Sequence, residues 1–531
     1  MKTARILVAL LLVAQPAAAQ RLTAPPDAKA RLDKHFERFN GGPGCAVGAA
    51  IDGRTVFASG YGTADLEHNI PITAETIFEP GSVSKQFTAA AALLLVQEGK
   101  LSLDDPVRKY IPEVPDYGTP ITIRHLIHHT SGLRDWGSVA AIAGWPRGTV
   151  ARNHDDVLEI VSRQRALNYA PGAEYSYTNT GYNLLAILVG RVSGKSFSDF
   201  TREAIFAPLG MSSSSWRDDF RRVVPNRAIA YSPSGSSFVL NMPFENVYGN
   251  GGMLTTVGDL LRWSANFIDQ KVGGPALVES QLRKAVLNDG RTNDYAAGIV
   301  VGSWRGVREI SHSGATAGYG GWLGRYPDQG LSVAILCNVS SANPTQLGRD
   351  VAALYLGSAL PPPAPTPEPV TVKGLQDLVG MYHNLRLHTA VSATVDNGRL
   401  RIGGVSYTPI SADTFVNGDS RFVVAGGRLR GSDGSLYEKV EPAKPTVADL
   451  QAYAGDYISD EAQVTVHVAL QGDRLMFQNR TGAWGQMTPT YRDGFNVPGG
   501  GTVRFLRDAS GAVTEASITV ERVWDLRLKK R

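Results

Sequence analysis

A proline-rich segment divides this chain of 531 residues into two parts with different sequence patterns. Five of the seven residues from 361 to 367 are proline. Proline favours an extended polyproline conformation and is excluded from helix and sheet interiors. We therefore predict a semi-rigid linker over residues 359–370. A chain of this length has room for roughly three to four domains of about 150 residues each.

The part after the linker has the pattern of small antiparallel barrels. Short alternating segments such as Leu400-Arg401-Ile402 are separated by Gly, Asn and Asp, which is typical of strands joined by tight turns. The pattern also repeats, because Gly380-Met381-Tyr382 recurs as Gly455-Asp456-Tyr457. We predict two tandem β-barrel-like units, over residues 371–445 and 446–531.

The part before the linker mixes helices and strands. Apolar runs at residues 45–51 and 54–59 flank Asp52-Gly53, a strong hairpin signal. A largely apolar helix is predicted from Val83 to Glu98, and strands return near residues 297–338. Because strands are predicted at the start and at the end of this region, with helices between them, we expect one sheet that contains strands from both ends.

The first nineteen residues have the pattern of a secretory signal. Lys2 and Arg5 precede an apolar run from Ile6 to Ala14, and small residues end at Ala19. We predict a signal peptide over residues 1–19 with cleavage after Ala19, and an exported protein, periplasmic or extracellular. No later apolar run approaches the ~18 residues that a transmembrane helix needs.

The charge balance and cofactor motifs exclude several classes of protein. A formal net charge of +4 gives no strong field for nucleic acid, so no nucleic-acid partner is expected. Phosphate-binding loops and dinucleotide fingerprints are lacking, and we predict no cofactor. His125, His128 and His129 share a helix face, but no acidic ligand pattern accompanies them, so no metal is predicted. No feature of the sequence specifies an oligomeric state.

A candidate nucleophile opens the first long helix. Ser82 and Lys85 are three residues apart and share one helical face, so their side chains can meet. A neutral lysine there could take the serine proton. The first-turn N–H groups lack intrahelical partners, so the backbone N–H of Ser82 could also stabilise an oxyanion.

Several motifs together resemble those of the serine penicillin-recognising enzymes. Ser82-Val83-Ser84-Lys85 resembles their nucleophile motif, Tyr177-Thr178-Asn179 their tyrosine motif and His312-Ser313-Gly314 their third motif, while residues 123–133 resemble a structural signature. The family comprises class C β-lactamases, D-alanyl-D-alanine carboxypeptidases, D-aminopeptidases and related esterases. The resemblance spans residues 35–350 and implies an α+β fold, with an antiparallel sheet flanked by helices and an all-α region. It also implies a serine hydrolase catalytic domain over residues 20–358.

The resemblance also implies a role for each site residue. Ser82 forms the acyl-enzyme, and Lys85 and Tyr177 handle the proton, with the choice of base left open. Tyr177 could act as base only if a cation such as Lys85 lowers its pKa. The amides of Ser82 and Ala315 hold the oxyanion, and Gly314 admits the substrate backbone. Asn179 presents its amide to the acyl side chain of the substrate, as its counterpart in the family does, and together with His312 it orients the substrate.

One position departs from most β-lactamases of the family, which carry lysine where this chain has His312. A largely neutral imidazole attracts a substrate carboxylate less than lysine would, so this departure counts against β-lactam hydrolysis without deciding it. The most favoured function is a peptidase or amidase of the D-aminopeptidase or D-alanyl-D-alanine carboxypeptidase type, acting on a small peptide or amide. A carboxylesterase is the enzymatic alternative. From another class, the fold could serve as a cell-wall binding or sensor module.

Two further features are interpreted through the resemblance. Tyr248-Gly249-Asn250 has the spacing of the tyrosine motif but lacks the Pro-Gly that precedes Tyr177, so we do not assign it that role. Cys45 and Cys337 belong to strands that are neighbours in the family's sheet. We expect two separate buried thiols, because directly paired strands rarely suit disulfide geometry. A stiff linker could also let a β unit lie against the catalytic cleft.

Overall fold

The computed structural model describes residues 22–531 except 364, 366, 419, 481–483 and 500. The predicted signal peptide lies outside the described residues. The fold class predicted from sequence is confirmed: an antiparallel sheet flanked by helices is followed by two antiparallel β units. Among the described residues, no helix combines the length and the apolar character needed to cross a bilayer.

The helices lie mostly between the early and late strands of the first part. Their bounds are α1 Ala28–Phe36, α2 Lys85–Gln97, α3 Ile123–Ile127, α4 Trp136–Ile142, α5 His154–Ser162, α6 Asn179–Ser193, α7 Phe197–Thr201, α8 Ala207–Leu209, α9 Val257–Asp269, α10 Gly274–Leu282, α11 Pro344–Leu356 and α12 Val447–Tyr453. A 3-10 turn, Gly81–Ser84, leads directly into α2.

The strands fall into three groups along the chain. Those before the linker are β1 Cys45–Ile51, β2 Arg54–Tyr61, β3 Thr63–Asp65, β4 Ile70–Pro71, β5 Ser215–Trp216, β6 Tyr231–Ser234, β7 Ser237–Leu240, β8 Met253–Leu254, β9 Ala285–Val286, β10 Thr292–Asn293, β11 Val300–Trp304, β12 Val307–Thr316, β13 Tyr319–Tyr326 and β14 Leu331–Cys337. The main sheet has the order β11-β12-β13-β14-β1-β2, so it is assembled from both ends of this region.

The main sheet is covered on both faces. All seven residues of β1 are buried, and they alternate between two cores because successive side chains point to opposite faces. Ala46 packs into the large helical core. Val47 packs into a second core with Phe36 of α1 and Val351 of α11. This two-sided burial explains why β1 is an uninterrupted apolar run.

A disulfide joins Cys45 of β1 to Cys337 of β14. The expectation of two separate thiols is therefore wrong. The antiparallel register places these two residues directly opposite each other, with their Cα atoms 4.0 Å apart. The bridge closes the ends of the two strands next to Gly44.

The first β unit after the linker is a closed barrel. Its strands are β15 Gly380–Asn384, β16 Ala390–Asp396, β17 Arg399–Ile402, β18 Val405–Pro409, β19 Thr414–Asn417, β20 Ser420–Ala425, β21 Arg428–Gly431 and β22 Leu436–Val440. Each strand pairs with the next, and β22 pairs with β15. Its buried side chains, including Tyr382 and Phe415, form a core of their own.

The second β unit is a nine-stranded antiparallel sheet that nearly closes. Its strands are β23 Gly455–Ser459, β24 Val464–Gln471, β25 Arg474–Gln478, β26 Gly485–Gln486, β27 Thr488–Pro489, β28 Gly494–Val497, β29 Gly501–Arg507, β30 Val513–Val520 and β31 Val523–Lys530. The edge strands β26 and β27 are neighbours in sequence. Most of the buried apolar side chains of this unit belong to the same apolar cluster as the helical core of the first part.

Candidate active site

Ser82 and Lys85 meet at the start of α2. Lys85 Nζ donates to Ser82 Oγ at 3.1 Å, to Asn179 Oδ1 at 3.0 Å and to the carbonyl oxygen of Asn250 at 2.7 Å. An amine with three acceptors around it has a fixed position. The spacing that predicted a shared face therefore brings the lysine nitrogen within hydrogen-bond distance of the serine hydroxyl.

Burial tunes the charge of Lys85. The side chain is wholly buried, and loss of solvation lowers its pKa well below the ordinary lysine value. The positive charges of Arg147 and Arg522 lower this pKa further, while Asp135 opposes them. The site therefore favours the neutral amine, which is the form that can accept a proton.

Tyr177 lies on the other side of Lys85, two residues before α6. Lys85 Nζ is 4.7 Å from the centre of the Tyr177 ring. Burial raises the pKa of Tyr177 far above its ordinary value, and a hydrogen bond with Ser82 offsets this only in part. The condition under which Tyr177 could act as base, a pKa lowered by cations, is thus not met, because loss of solvation is the larger effect. Tyr177 stays protonated and can donate.

The oxyanion donors are brought together by two glycines. A Cβ at Gly314 would lie 2.4 Å from the backbone nitrogen of Ser82, and one at Gly81 would lie 2.5 Å from that of Ala315. Only residues without a side chain allow β12 to approach the 3-10 turn this closely. The backbone nitrogens of Ser82 and Ala315, the two predicted oxyanion donors, therefore belong to two segments that are in close contact.

Asn179 begins α6 and is fixed at both its backbone and its side chain. Thr178 caps the helix by accepting from the backbone N–H of Thr180. The Asn179 backbone N–H donates to Asp135 Oδ2 at 2.7 Å, and its Oδ1 accepts from Lys85. The amide NH₂ is left for another acceptor, in keeping with the predicted contact to substrate.

His312 lies on β12 and is buried. Burial lowers its pKa to about 4, with a smaller contribution from Lys85, so the ring is neutral at pH 7. Its Nδ1 lies 2.5 Å from the carbonyl oxygen of Ser313, and its Nε2 lies 3.0 Å from Tyr295 Oη. A carbonyl can only accept, so Nδ1 carries the proton and Nε2 accepts from the tyrosine.

The three histidines near α3 have structural contacts. His125 Nδ1 accepts from the backbone N–H of Thr122 and completes a capping box. His128 is buried. His129 Nδ1 accepts from the backbone N–H of Thr178 at 3.3 Å, and its ring packs 4.3 Å from that of Tyr177.

Sequence reasoning missed three residues of the site. The carbonyl of Asn250 holds Lys85, and its side-chain Oδ1 accepts from Asn183 at 2.7 Å. The segment Tyr248-Gly249-Asn250 therefore contributes to the site even though it was not assigned the tyrosine motif. The spacing of the tyrosine motif and the Gly-Gly pair that follows it were the sequence signals of this segment. Arg147 and Arg522 carried no sequence signal.

A cavity of about 500 Å³ opens over Ser82. It is lined by Gly81, Ser82, Arg147, Tyr177, Asn179, Asn250, Gly251, His312, Ser313, Gly314, Ala315, Thr316, Gly321, Pro344 and Arg522. Arg522 comes from the turn between β30 and β31, so the second β unit supplies part of the wall of this cavity.

Known proteins match this chain in sequence. The Beta-lactamase family model matches residues 32–357. Penicillin-binding protein 4* of Bacillus subtilis is 32% identical over 322 residues, which are 58% of this chain and 69% of that protein. A D-aminopeptidase of Gluconobacter oxydans is 28% identical over 453 residues, which are 81% of this chain and 82% of that enzyme.

A solved structure has the same fold over most of the chain. The octameric penicillin-binding protein homologue from Pyrococcus abyssi superimposes with a TM-score of 0.56 and 23% identity, over 85% of this chain and 96% of that one.

Proposed function

Because the chain belongs to the Beta-lactamase family, as the resemblance predicted, we propose that it is a serine amidase or peptidase acting through an acyl-enzyme on Ser82. One observation carries this proposal above all. A buried lysine, whose pKa is well below its usual value, lies 3.1 Å from the Ser82 hydroxyl. That arrangement activates a serine, which is otherwise a weak nucleophile.

In the acylation step, neutral Lys85 takes the proton of Ser82 Oγ as that oxygen attacks the substrate carbonyl carbon. The new oxyanion accepts hydrogen bonds from the backbone N–H groups of Ser82 and Ala315. The tetrahedral intermediate then expels the amine leaving group, which receives a proton from Tyr177. The proton on Lys85 returns to Tyr177, and an ester of Ser82 remains.

Deacylation repeats these steps with water as the nucleophile. Lys85, again neutral, takes a proton from water as it attacks the ester, and the same two amides hold the oxyanion. Ser82 leaves as an alkoxide and is reprotonated by Lys85. Asn179 and His312 orient the substrate in both steps. All of these groups belong to the protein chain, and the proposed reaction requires only water as co-reactant.

Similarity over both parts of the chain supports an amide or peptide substrate. The Gluconobacter oxydans relative, a D-aminopeptidase, matches 81% of this chain, well beyond the 326 residues of the family model. A carboxylesterase is the second candidate. It is favoured by the neutral His312, which offers a substrate carboxylate little attraction. A binding or sensor module would not need a neutral lysine beside a serine.

We also propose that the protein is exported. The pattern of residues 1–19 supports a cleaved signal peptide. The Cys45–Cys337 disulfide supports an oxidising compartment, because disulfides persist outside the cytosol.

Initial rates on four substrates test the function. The mature protein is compared with a Ser82→Ala blank on D-alanyl p-nitroanilide, its L-isomer, a short-chain p-nitrophenyl ester and a chromogenic cephalosporin. We expect Ser82-dependent release from the D-anilide. Cleavage of the ester alone would make the protein a carboxylesterase, and rates equal to the blank on all four would contradict the assignment.

A further inference from the structure

The cleft around Ser82 has two arms that differ in charge. The cationic arm is the part of the first cavity beside Arg147, Asn179, Thr316 and Arg522, and no carboxylate is among its lining residues in the part of the chain that is described. The second arm, a neighbouring cavity of about 610 Å³, meets the first at Tyr177, His312 and Ser313 and includes Asp294, Glu309 and Arg349.

The second arm is electrically balanced. Glu309 accepts two hydrogen bonds from Arg349, at 2.8 and 3.1 Å, and one from Tyr326. Asp294 forms an ion pair with Lys284 at 2.7 Å. These cations satisfy the carboxylates of this arm, so it has no spare positive charge to attract an anion.

The carboxylates paired with the two arginines of the cationic arm do not line the cavity. Arg147 is paired with Glu245. Among the residues that the structure describes, Arg522 forms an ion pair with Glu521, whose Oε1 lies 3.5 Å from the arginine Nε and whose side chain is 82% exposed. Water screens such a pair strongly. Arg522 Nε has no hydrogen-bond partner among the described residues.

The backbone and ring contacts of Arg522 hold it in place. Its carbonyl oxygen accepts from the backbone N–H of Asp135 at 3.2 Å and from Asn168 Nδ2 at 3.1 Å. Its guanidinium lies 5.1 Å from the centre of the Tyr177 ring. A guanidinium fixed before substrate arrives loses little freedom on binding, and its planar fork matches a carboxylate.

We propose that Arg522, assisted by Arg147, binds a carboxylate carried by the acyl portion of the substrate. This inference rests on the proposed function and names its substrate class. The acyl side is chosen because Asn179, the predicted contact of the acyl chain, lines the cationic arm and not the second arm. An acyl group ending in an ammonium, such as that of D-alanyl p-nitroanilide, would instead face two guanidinium groups and should be cleaved more slowly. The preferred substrate is therefore an amide or ester of an acid that keeps a second, free carboxylate.

Two esters of equal chain length test the proposal. p-Nitrophenyl hydrogen glutarate has a free carboxylate on its acyl group, and p-nitrophenyl pentanoate is neutral. A charge-assisted hydrogen bond corresponds to a preference of about tenfold or more in kcat/KM for the glutarate ester. We expect Arg522→Gln to lose this preference through KM and Arg522→Lys to keep part of it. Arg474→Gln, an exposed change in the same β unit, should have no effect.

Equal rates on the two esters, or an Arg522→Gln variant that slows both equally, would overturn the proposal while leaving the serine hydrolase assignment intact. A second measurement is independent of turnover. In the Ser82→Ala background, isothermal calorimetry should show glutarate binding that weakens with salt and falls at least about tenfold in Arg522→Gln. If glutarate binds the Ser82→Ala protein no better than the protein with both Ser82→Ala and Arg522→Gln, the proposed carboxylate site is overturned. This conclusion holds even if neither ester is a substrate.

Discussion

The two β units are both antiparallel, and the first strand of each begins with a Gly-x-Tyr pattern, yet they join the rest of the molecule differently. The first unit closes into a barrel with its own core. The second unit shares one continuous apolar core with the helical region and contributes Arg522 to the active-site cavity. The second unit, which is farther along the chain from the catalytic region, is thus the one that contributes to the active-site cavity.

Polar contacts show the same difference. Arg134 of the catalytic region donates to Glu461 of the second unit at 2.7 Å, with side chains only 2% and 11% exposed. The first unit contacts the catalytic region through Arg386 and Glu174, which are 38% and 27% exposed. The alternating strand-and-turn pattern therefore specifies the β fold of each unit. The few residues that contact the catalytic region, such as Glu461, determine which unit becomes part of the active site.

The largest expected effect comes from breaking the buried ion pair between the second unit and the catalytic region. Arg134→Ala leaves Glu461 buried without its partner, which costs about 3–5 kcal/mol. Arg386→Ala removes a more exposed ion pair, for which we expect a loss of about 0–1 kcal/mol. Urea unfolding followed by tryptophan fluorescence measures both. Equal losses would show that the two units are docked with similar strength.

Core truncations in the two units compare how each is coupled to the active site. Leu526 and Leu400 are both fully buried, the first in the shared core and the second in the core of the barrel. Replacing either by Ala costs about 2–5 kcal/mol locally. In calorimetry, we expect Leu526→Ala to lower the unfolding transition of the catalytic region and Leu400→Ala to spare it. If the Leu400→Ala protein loses activity at the same lowered temperature as the Leu526→Ala protein, the two units are equally coupled to the active site and this prediction is wrong.

The smallest expected effect is a shift in pH dependence. Activity requires neutral Lys85, so it is lost as pH falls through the lowered pKa of this lysine, well below the ordinary lysine range. Arg522 helps to lower that pKa. Arg522→Gln should therefore raise the pKa of Lys85 and move the acid side of the pH profile of kcat/KM to higher pH. Arg386→Gln, in the first unit, serves as the control and should leave this profile unchanged. An acid side that moves to lower pH in Arg522→Gln would contradict the assignment of Lys85 as base.

Local spacing made much of the fold and site predictable. The Asp52-Gly53 turn joins β1 to β2 as expected, and the three-residue step from Ser82 to Lys85 dictates that their side chains meet. The direction of the Tyr177 pKa was not predictable, because it depends on how deeply the ring is buried by residues distant in sequence. The Cys45–Cys337 bridge likewise depends on register between strands from opposite ends of the catalytic region.

Arg147 and Arg522 show why part of the site escaped sequence reasoning. Neither lies in a motif, and Arg522 is 345 residues after Tyr177, whose ring it covers. Its place in the cleft follows from the docking of a whole β unit through contacts such as Arg134 with Glu461. Such docking depends on complementary surfaces, which periodicity and spacing do not encode.

Covalent labelling determines whether Ser82 is the nucleophile. The mature protein is treated with a fluorescent fluorophosphonate, and the labelled peptide is identified by mass spectrometry alongside the Ser82→Ala variant. We expect one adduct on Ser82 in the parent protein and none in the variant. Labelling that persists in Ser82→Ala, or an adduct on any other residue, would contradict this assignment.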